Sequence, residues 1–403
     1  MDYDVIVIGA GPAGSMTAYR CAEAGLHTLL VDKAQFPRVK PCGGALSIRS
    51  LKALQFAGIH VPTSLTEQPI FGFQFMGPEM KPFEYRSRDL FAYTVKREIF
   101  DYYLAQQAVK AGADFTQNCT LANLEQHEGF VECHTDKGEF TGKLVIGADG
   151  ATSRVGFLTN LRKPMKAHEI GIAVETEVQI SKKIWNQTLD PSLLVLWLLN
   201  IPKGYFWVFP RKASLSIGVG GIASELGNVP NLLRGLTRMF CSWHQLPLFK
   251  LKRLRGHQLP IFESPIPLSN HRVFLIGDAA GFIDVFSGQG ICYALEGGII
   301  CAQTATNIIQ GNHSLTQAAT QYQRRVTQRF GKELQCSWFI MRLVHAHLYG
   351  GFRLARLMKW PGQLAFDIAR GLTDYYRMKR NPLRLLSRLF IGELRARLMG
   401  VIT

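Results

Sequence analysis

One segment near the N-terminus limits the fold more than any other. Tyr3–Ile8 is a β-branched run, the signature of a strand buried on both faces. Gly9-Ala10-Gly11-Pro12-Ala13-Gly14 follows at once, and a helical stretch over about 13–24 is closed by Gly25. Residues 27–31 read as a second buried strand, and Asp32 stands at its end, eighteen residues after Gly14. The glycines have separate reasons. Gly9 permits a tight turn, Gly11 lets the backbone approach a pyrophosphate, and Gly14 lets the helix pack against the strand. The helix opening at Ala13 offers its N–H groups to a phosphate, and Asp32 is placed to accept from a ribose hydroxyl. A lone G-x-G-x-x-G is a weak signal. Between a strand and a helix, with the acid at this interval, it marks a dinucleotide-binding βαβ unit.

The rest of the chain extends that unit. Residues 33–44 hold two prolines and two glycines and read as a loop. A helix is expected over 96–111, with Gly112 as its stop, then β-type runs at 115–124, 130–135 and 139–146. Residues 171–222 are dense in strand signals, which suggests an antiparallel sheet inserted in an α/β chain. Helices are expected at 230–243 and 289–309, a buried strand at 272–276, and mostly helix after Ser314. The fold class is therefore α/β: a Rossmann-type domain over 1–165 and 257–310, with small inserted strands near 70–95. An antiparallel-sheet substrate domain spans 166–256, and a helical, basic region spans 311–403.

Two later motifs bear on which dinucleotide is bound. Val145-Ile146-Gly147-Ala148-Asp149-Gly150 and Phe274-Leu275-Ile276-Gly277-Asp278 are both strands running into a polar turn. A strand ending in Gly-Asp puts a carboxylate at the sheet edge where cofactors bind. Asp278 suits ribityl hydroxyls, and the N–H groups near Gly290 and Ile291, at a helix start, suit the anionic edge of a flavin. With these three motifs in this order, residues 1–310 resemble a group A flavoprotein of the p-hydroxybenzoate hydroxylase fold. That resemblance implies FAD. It also implies that Arg97, on the helix after the first meander, reaches the pyrophosphate, and that the backbone near Leu121 touches the adenine.

Two further segments are similar to the geranylgeranyl reductase family. One is Pro37-Arg38-Val39-Lys40-Pro41-Cys42-Gly43-Gly44, like that family's Cys-Gly-Gly segment beside the flavin. The other is Tyr205-Phe206-Trp207-Val208-Phe209-Pro210, like its Y-x-W-x-F pattern along an isoprenoid cavity. On a strand Tyr205, Trp207 and Phe209 share one face, and an aromatic face suits a long apolar substrate. Cys42 and Gly43 are expected as flavin neighbours. Cys42, Tyr205 and Trp207 are the catalytic candidates. The resemblance implies an FAD-dependent reductase that saturates double bonds of a geranylgeranyl or polyprenyl chain. NAD(P)H or a reduced electron carrier would dock transiently, because FAD takes the one fingerprint. Alternatives are a monooxygenase or halogenase of the same fold, though W-x-W-x-I-P is absent, or a flavin-binding membrane protein without turnover. The family's Asp-Pro-x-x-Gly-Glu-Gly reads here Asp284-Val285-Phe286-Ser287-Gly288-Gln289-Gly290, a departure beside the isoalloxazine.

Charge adds a partner. Net charge is +16, and from Arg342 onward there are twelve Lys/Arg against three Asp/Glu (12 − 3 = +9). The segments 352–360 and 382–390 interleave Leu, Phe and Trp with Arg at helical spacing, as in helices that lie in a membrane interface. Anionic lipid is the expected partner; nucleic acid is not, for want of any recognisable module. The eight cysteines include no C-x-x-C, so neither a metal site nor a disulfide scaffold is expected. The N-terminus lacks the cationic start of a secretory leader, and no run of eighteen apolar residues exists. The sequence thus places the chain in the cytoplasm or peripherally on the inner face of the membrane.

Overall fold

The computed structural model describes residues 2–346, apart from 182–183, 185–188, 200 and 262–264. Tyr3–Ile8 lies within an eight-stranded sheet ordered Ser269–Asn270, Val273–Leu275, Gly138–Gly147, Tyr3–Ile8, Thr28–Val31, Asp114–Thr116. The last five of these run parallel. Val5, Ile6 and Val7 are wholly buried, as a strand covered on both faces requires. Ile8 stands opposite both Gly147 and Val31, and Gly147 opposite Leu275. Register therefore delivers the Gly9 turn, Asp32, Asp149 and Asp278 to one edge, the carboxyl ends of the strands, where open α/β sheets bind ligands. Leu121–Gln126 and Val131–Thr135 continue as an antiparallel meander on Gly138–Gly147.

The second sheet has seven strands, ordered Arg255–Pro260, Ile170–Gln179, Ser214–Ile222, Tyr205–Pro210, Leu193–Trp197, Gly72–Met76, Pro82–Arg86. Its alternation divides the core. Phe206 and Val208 pack with Leu233, Leu236 and Phe240 of helix Val229–Trp243. Trp207 and Phe209 face the other way and cluster with Ile70, Phe73, Phe91 and Leu194.

Local pattern misplaced some pairings. Of the strands expected near 70–95 in the nucleotide-binding half, Gly72–Met76 and Pro82–Arg86 complete the far edge of the inserted sheet, while Arg255–Pro260 forms its other edge. Gly72–Met76 pairs in parallel with Leu193–Trp197, more than a hundred residues away, a partnership no local period can reveal. The single run expected at 115–124 is two strands, Asp114–Thr116 and Leu121–Gln126, because Asn118 takes a left-handed turn (φ 49°) between them. From Leu315 to Ala346 the chain is helical, Leu315–Val326 and Lys332–Ala346 around a π turn at Thr327–Gly331. The segments 352–360 and 382–390 lie outside the described residues.

Candidate functional site

The nucleotide edge is built from backbone. A Cβ on Gly14 would stand 1.8 Å from the Gly9 carbonyl oxygen, and one on Gly9 2.4 Å from that of Ala148, so both positions admit only glycine. Asp32 is buried. Its Oδ2 accepts from the Ala10 N–H at 2.7 Å and its Oδ1 from that of Ala34 at 2.9 Å. The carboxylate thus ties the glycine turn to the following loop at the ribose position. The expected adenine segment runs alongside, with the Cys119 N–H donating to the Asp32 carbonyl at 3.0 Å. Leu121 itself packs into the hydrophobic core. Helices Pro12–Glu23 and Ile291–Ile309 both begin at a glycine, Gly11 and Gly290, with no side-chain cap.

The loop over 33–44 brings in cations. Arg97 is buried and pairs with both oxygens of the fully buried Asp101, at 2.7 and 2.8 Å. A second guanidinium, Arg38, shares that carboxylate at 3.2 Å and lies 4.0 Å from Asp32. Arg38 Nη1 is buried and otherwise without a hydrogen-bond partner, and its Nη2 is the atom nearest to where a Gly11 Cβ would stand, at 3.6 Å. A buried guanidinium nitrogen with no hydrogen-bond partner beyond a carboxylate it shares with Arg97, beside the uncapped helix start at Gly11, is the donor set that a pyrophosphate satisfies. The residues present thus fit FAD. Arg97, which the resemblance sends to that pyrophosphate, is kept charged against burial first by Asp101 and then by Cys42 beside it; Arg38 is a further cation at Gly11.

Asp278 sits beneath a second pair. Lys40 Nζ meets the His257 ring, and His257 Nε2 is 4.0 Å from Asp278 Oδ2. Burial, assisted by the charges of Arg97 and Arg38, brings the Lys40 pKa down to about 8 against the pull of Asp278. Burial also lowers the His257 pKa, helped by Lys40. For Asp278 burial pushes the other way, but His257, Lys40 and Arg97 outweigh it and the carboxyl is held below its ordinary value.

Cys42-Gly43-Gly44 is pressed against the aromatic face. A Cβ on Gly43 would stand 2.6 Å from two ring carbons of Phe209 and 3.4 Å from Trp207 Nε1. Gly44 N–H donates to Cys42 Sγ at 3.4 Å, and Arg211 Nη2 to the Cys42 carbonyl at 3.4 Å. Cys42 is the one cysteine of the eight that is not buried, and all eight are free thiols. Trp207 lies flat over Gly218, where a Cβ would come within 2.1 Å of the indole. Its Nε1 donates to Ser216 Oγ at 3.3 Å, which in turn donates to Glu175 Oε2 at 3.0 Å. On the same strand Glu177 is taken up by Arg211 at 2.8 Å and Lys96 at 3.4 Å. Glu175, only 8% exposed, has no cation within salt-bridge reach among the described residues.

Tyr205, on the same face, donates its hydroxyl to the Ser287 carbonyl at 2.9 Å. Burial, then the charges of Cys42 and Asp284, push its pKa up, so this hydroxyl is a tether and a poor proton source. The turn it holds departs from the Asp-Pro-x-x-Gly-Glu-Gly pattern but is internally closed. Asp284 Oδ1 accepts from the N–H of Phe286 at 2.9 Å and of Ser287 at 3.1 Å, and Gly288 N–H returns to the Asp284 carbonyl at 2.8 Å. Behind it Arg49 pairs with Glu296 at 2.9 Å and Glu333 at 2.9 Å, and Tyr293 donates to Glu333 at 3.0 Å. This buried network fastens helix Lys332–Ala346 to the helix that starts at Ile291.

Gly9, Gly11, Ala13, Gly14, Asp32, Asp278, Gly290 and Ile291 are therefore gathered at one sheet edge. Cys42, Gly43, Tyr205 and Trp207 meet between the two sheets. Arg38, Lys40, His257 and Glu175 join them unforeseen, and Asp284 joins them from the turn whose departure the sequence showed. The only sequence signal for the first two was their place beside Cys42; His257 and Glu175 lie on strands whose pairing is long-range. Two His–Glu groups, Glu125/His127/Glu132 and Glu132/His134/Glu139, lie on the meander.

Comparison with known proteins agrees with this geometry. A family model described as FAD binding domain matches residues 2–222. A digeranylgeranylglycerophospholipid reductase of Methanococcus vannielii is 29% identical over 346 residues, covering 82% of this chain and 84% of its own. The crystal structure of a geranylgeranyl bacteriochlorophyll reductase-like protein from Thermoplasma acidophilum is 26% identical, with a TM-score of 0.75, covering 85% of this chain and 87% of its own. A myxobacterial chondrochloren halogenase is 20% identical with a TM-score of 0.68, covering 83% and 81%; at that identity only the fold is shared.

Proposed function

We propose, from the premise that this chain belongs to the FAD-binding domain family, that it is an FAD-dependent reductase. Its substrate is a geranylgeranyl or longer polyprenyl chain in a lipid or pigment precursor. The observation that carries this reading is the meeting of Gly43 with the rings of Trp207 and Phe209, 2.6 Å from a notional Cβ to Phe209. It sets a flavin-side glycine loop against a dry aromatic wall. The relatives named above, two of them described by geranylgeranyl or digeranylgeranyl substrates, support the substrate class.

Bound FAD, once reduced, supplies a hydride equivalent. The chain supplies the remainder. Arg38 and the Gly11 and Gly290 helix starts bind the cofactor's anionic groups. Trp207 and Phe209 exclude water, and their π faces steady cationic character on an alkene carbon. An isolated alkene also needs a proton. Glu175, joined to Trp207 through Ser216 and with no cation within salt-bridge reach among the described residues, is the carboxyl on that face and the donor this reading assigns. Cys42 touches the loop backbone and the Arg97 side chain, contacts that support a role in shaping the flavin side. NAD(P)H or a small reduced carrier delivers electrons from solution, and the protein works at a membrane surface.

The test is anaerobic. Reduced protein is mixed with geranylgeranyl lipids, and flavin reoxidation is followed with the product mass, one H₂ gained per bond. Reoxidation with that gain is expected; its failure across all chain lengths overturns the assignment. Oxygen uptake coupled to NAD(P)H and substrate would point to a monooxygenase.

A further inference from the structure

A second surface of the inserted domain is built for contact with something anionic. Helix Val229–Trp243 buries Val229, Leu233, Leu236, Phe240 and Cys241 against the sheet. Its other side, Asn231, Arg234, Gly235, Arg238 and Ser242, is exposed at helical spacing. The helix ends at Trp243, which is 44% exposed, and the loop beyond carries Leu248, 61% exposed. Met239 and Trp243 form the apolar side of a shallow groove along the helix, with Arg238 on its lip. Lys250, Lys252 and Arg253 follow, all exposed.

The charge balance of this stretch is one-sided. From Leu226 to Pro260 there are six Lys/Arg (Arg234, Arg238, Lys250, Lys252, Arg253, Arg255) and no Asp or Glu. None of the six lies within salt-bridge reach of a carboxylate among the described residues; Arg234 donates to Asn231 Oδ1 at 3.0 Å. An ordinary solvated face mixes signs, and an exposed tryptophan beside unpaired cations is the composition of a bilayer interface. We propose that this helix and the loop after it dock the protein on a membrane surface of anionic lipid, Trp243 and Leu248 entering the headgroup layer and the cations meeting phosphates. The occupant is neither the chain's own C-terminal region nor a second copy. The first carries twelve Lys/Arg against three Asp/Glu from Arg342 on, the second a net +16, so both would set like charge on like.

The inference rests on the polyprenyl-lipid reading for its purpose and is tested without it. The FAD-loaded full chain is co-sedimented with vesicles of equal parts phosphatidylglycerol and phosphatidylcholine, and with phosphatidylcholine alone. Binding to the first only, reversed by salt, is expected. R234Q/R238Q/K252Q should weaken partitioning by about a hundredfold, at about fivefold per cation, and Trp243→Ala should weaken it further. All these positions are on the surface, and unchanged flavin absorbance verifies the fold. Equal binding by the variants would put docking elsewhere on the chain and overturn the proposal. So would indifference of the wild type to anionic vesicles, or preferential displacement by single- or double-stranded oligonucleotides. A wild type that binds vesicles but never reoxidises with prenyl lipid would sink the reductase reading and leave this surface standing.

Discussion

Gly218→Ala tests whether the aromatic face is the wall of the substrate slot. The added methyl would stand 2.1 Å from Trp207 Cζ2 and 2.5 Å from two further indole carbons. Carbon atoms rest at about 3.5–4.0 Å, so the ring must retreat by roughly 1.5 Å. It cannot slide freely, because Gly43 lies close to its Nε1, which is hydrogen-bonded to Ser216 at 3.3 Å. Forced repacking of this kind costs about 1–3 kcal/mol. The methyl lies away from Gly11, Asp32 and Asp278, so FAD affinity from flavin titration should match the wild type. Turnover on a full-length geranylgeranyl lipid should lose kcat/KM by about tenfold or more, since about 1.4 kcal/mol of lost transition-state binding is tenfold. Thermal stability should fall by a few degrees. Adding Trp207→Leu should restore melting temperature and not activity. Unchanged kcat/KM on the long substrate, with Trp207 fluorescence showing that the ring has moved, would refute the claim that this face binds the chain.

Three more outcomes are expected. Glu175→Gln keeps the Ser216 hydrogen bond but removes the acid, so flavin reoxidation by substrate should slow by about 10²–10⁴-fold while FAD binding is unchanged; a wild-type rate would exclude this carboxyl as the acid. Tyr205→Phe strands the Ser287 carbonyl at a cost of about 1 kcal/mol and should loosen FAD without lowering the saturated rate severely, as read by flavin titration. In the flavin-free protein Lys40 has a pKa of about 8 against an ordinary 10.5, so between those values the unfolded chain binds the proton that the folded chain has released. Stability should therefore rise with pH across that window and be lost as pH falls through 8, by up to about 1.4 kcal/mol per pH unit; Lys40→Met should flatten that rise in melting curves.

Much of the nucleotide half is legible in the sequence because its signals are local. Tyr3–Ile8, the glycine turn and Asp32 sit within thirty residues, and each residue type has a geometric reason. The aromatic alternation over 205–210 was legible for the same cause, since a strand's period is read within six residues. Contacts that cross the chain were not. Arg49 meets Glu333, and Lys40 meets His257, across separations that no pattern encodes. Arg38 was hidden by its loop, where prolines and glycines announce a turn and say nothing of where a long side chain reaches. Arg97 was legible only through the resemblance, and its pairing with Asp101 one helical turn away is the part that local spacing could have shown.

The strand Tyr205–Pro210 serves two masters. Phe206 and Val208 are set in the hydrophobic interior beneath helix Val229–Trp243, while Trp207 and Phe209 line the opposite surface. Its backbone cannot shift to accommodate a bulkier guest without dragging that interior along. On the polyprenyl reading proposed above, preference for one chain length over another is retuned by exchanging rings in place, and every such exchange is registered by the whole domain's resistance to heat.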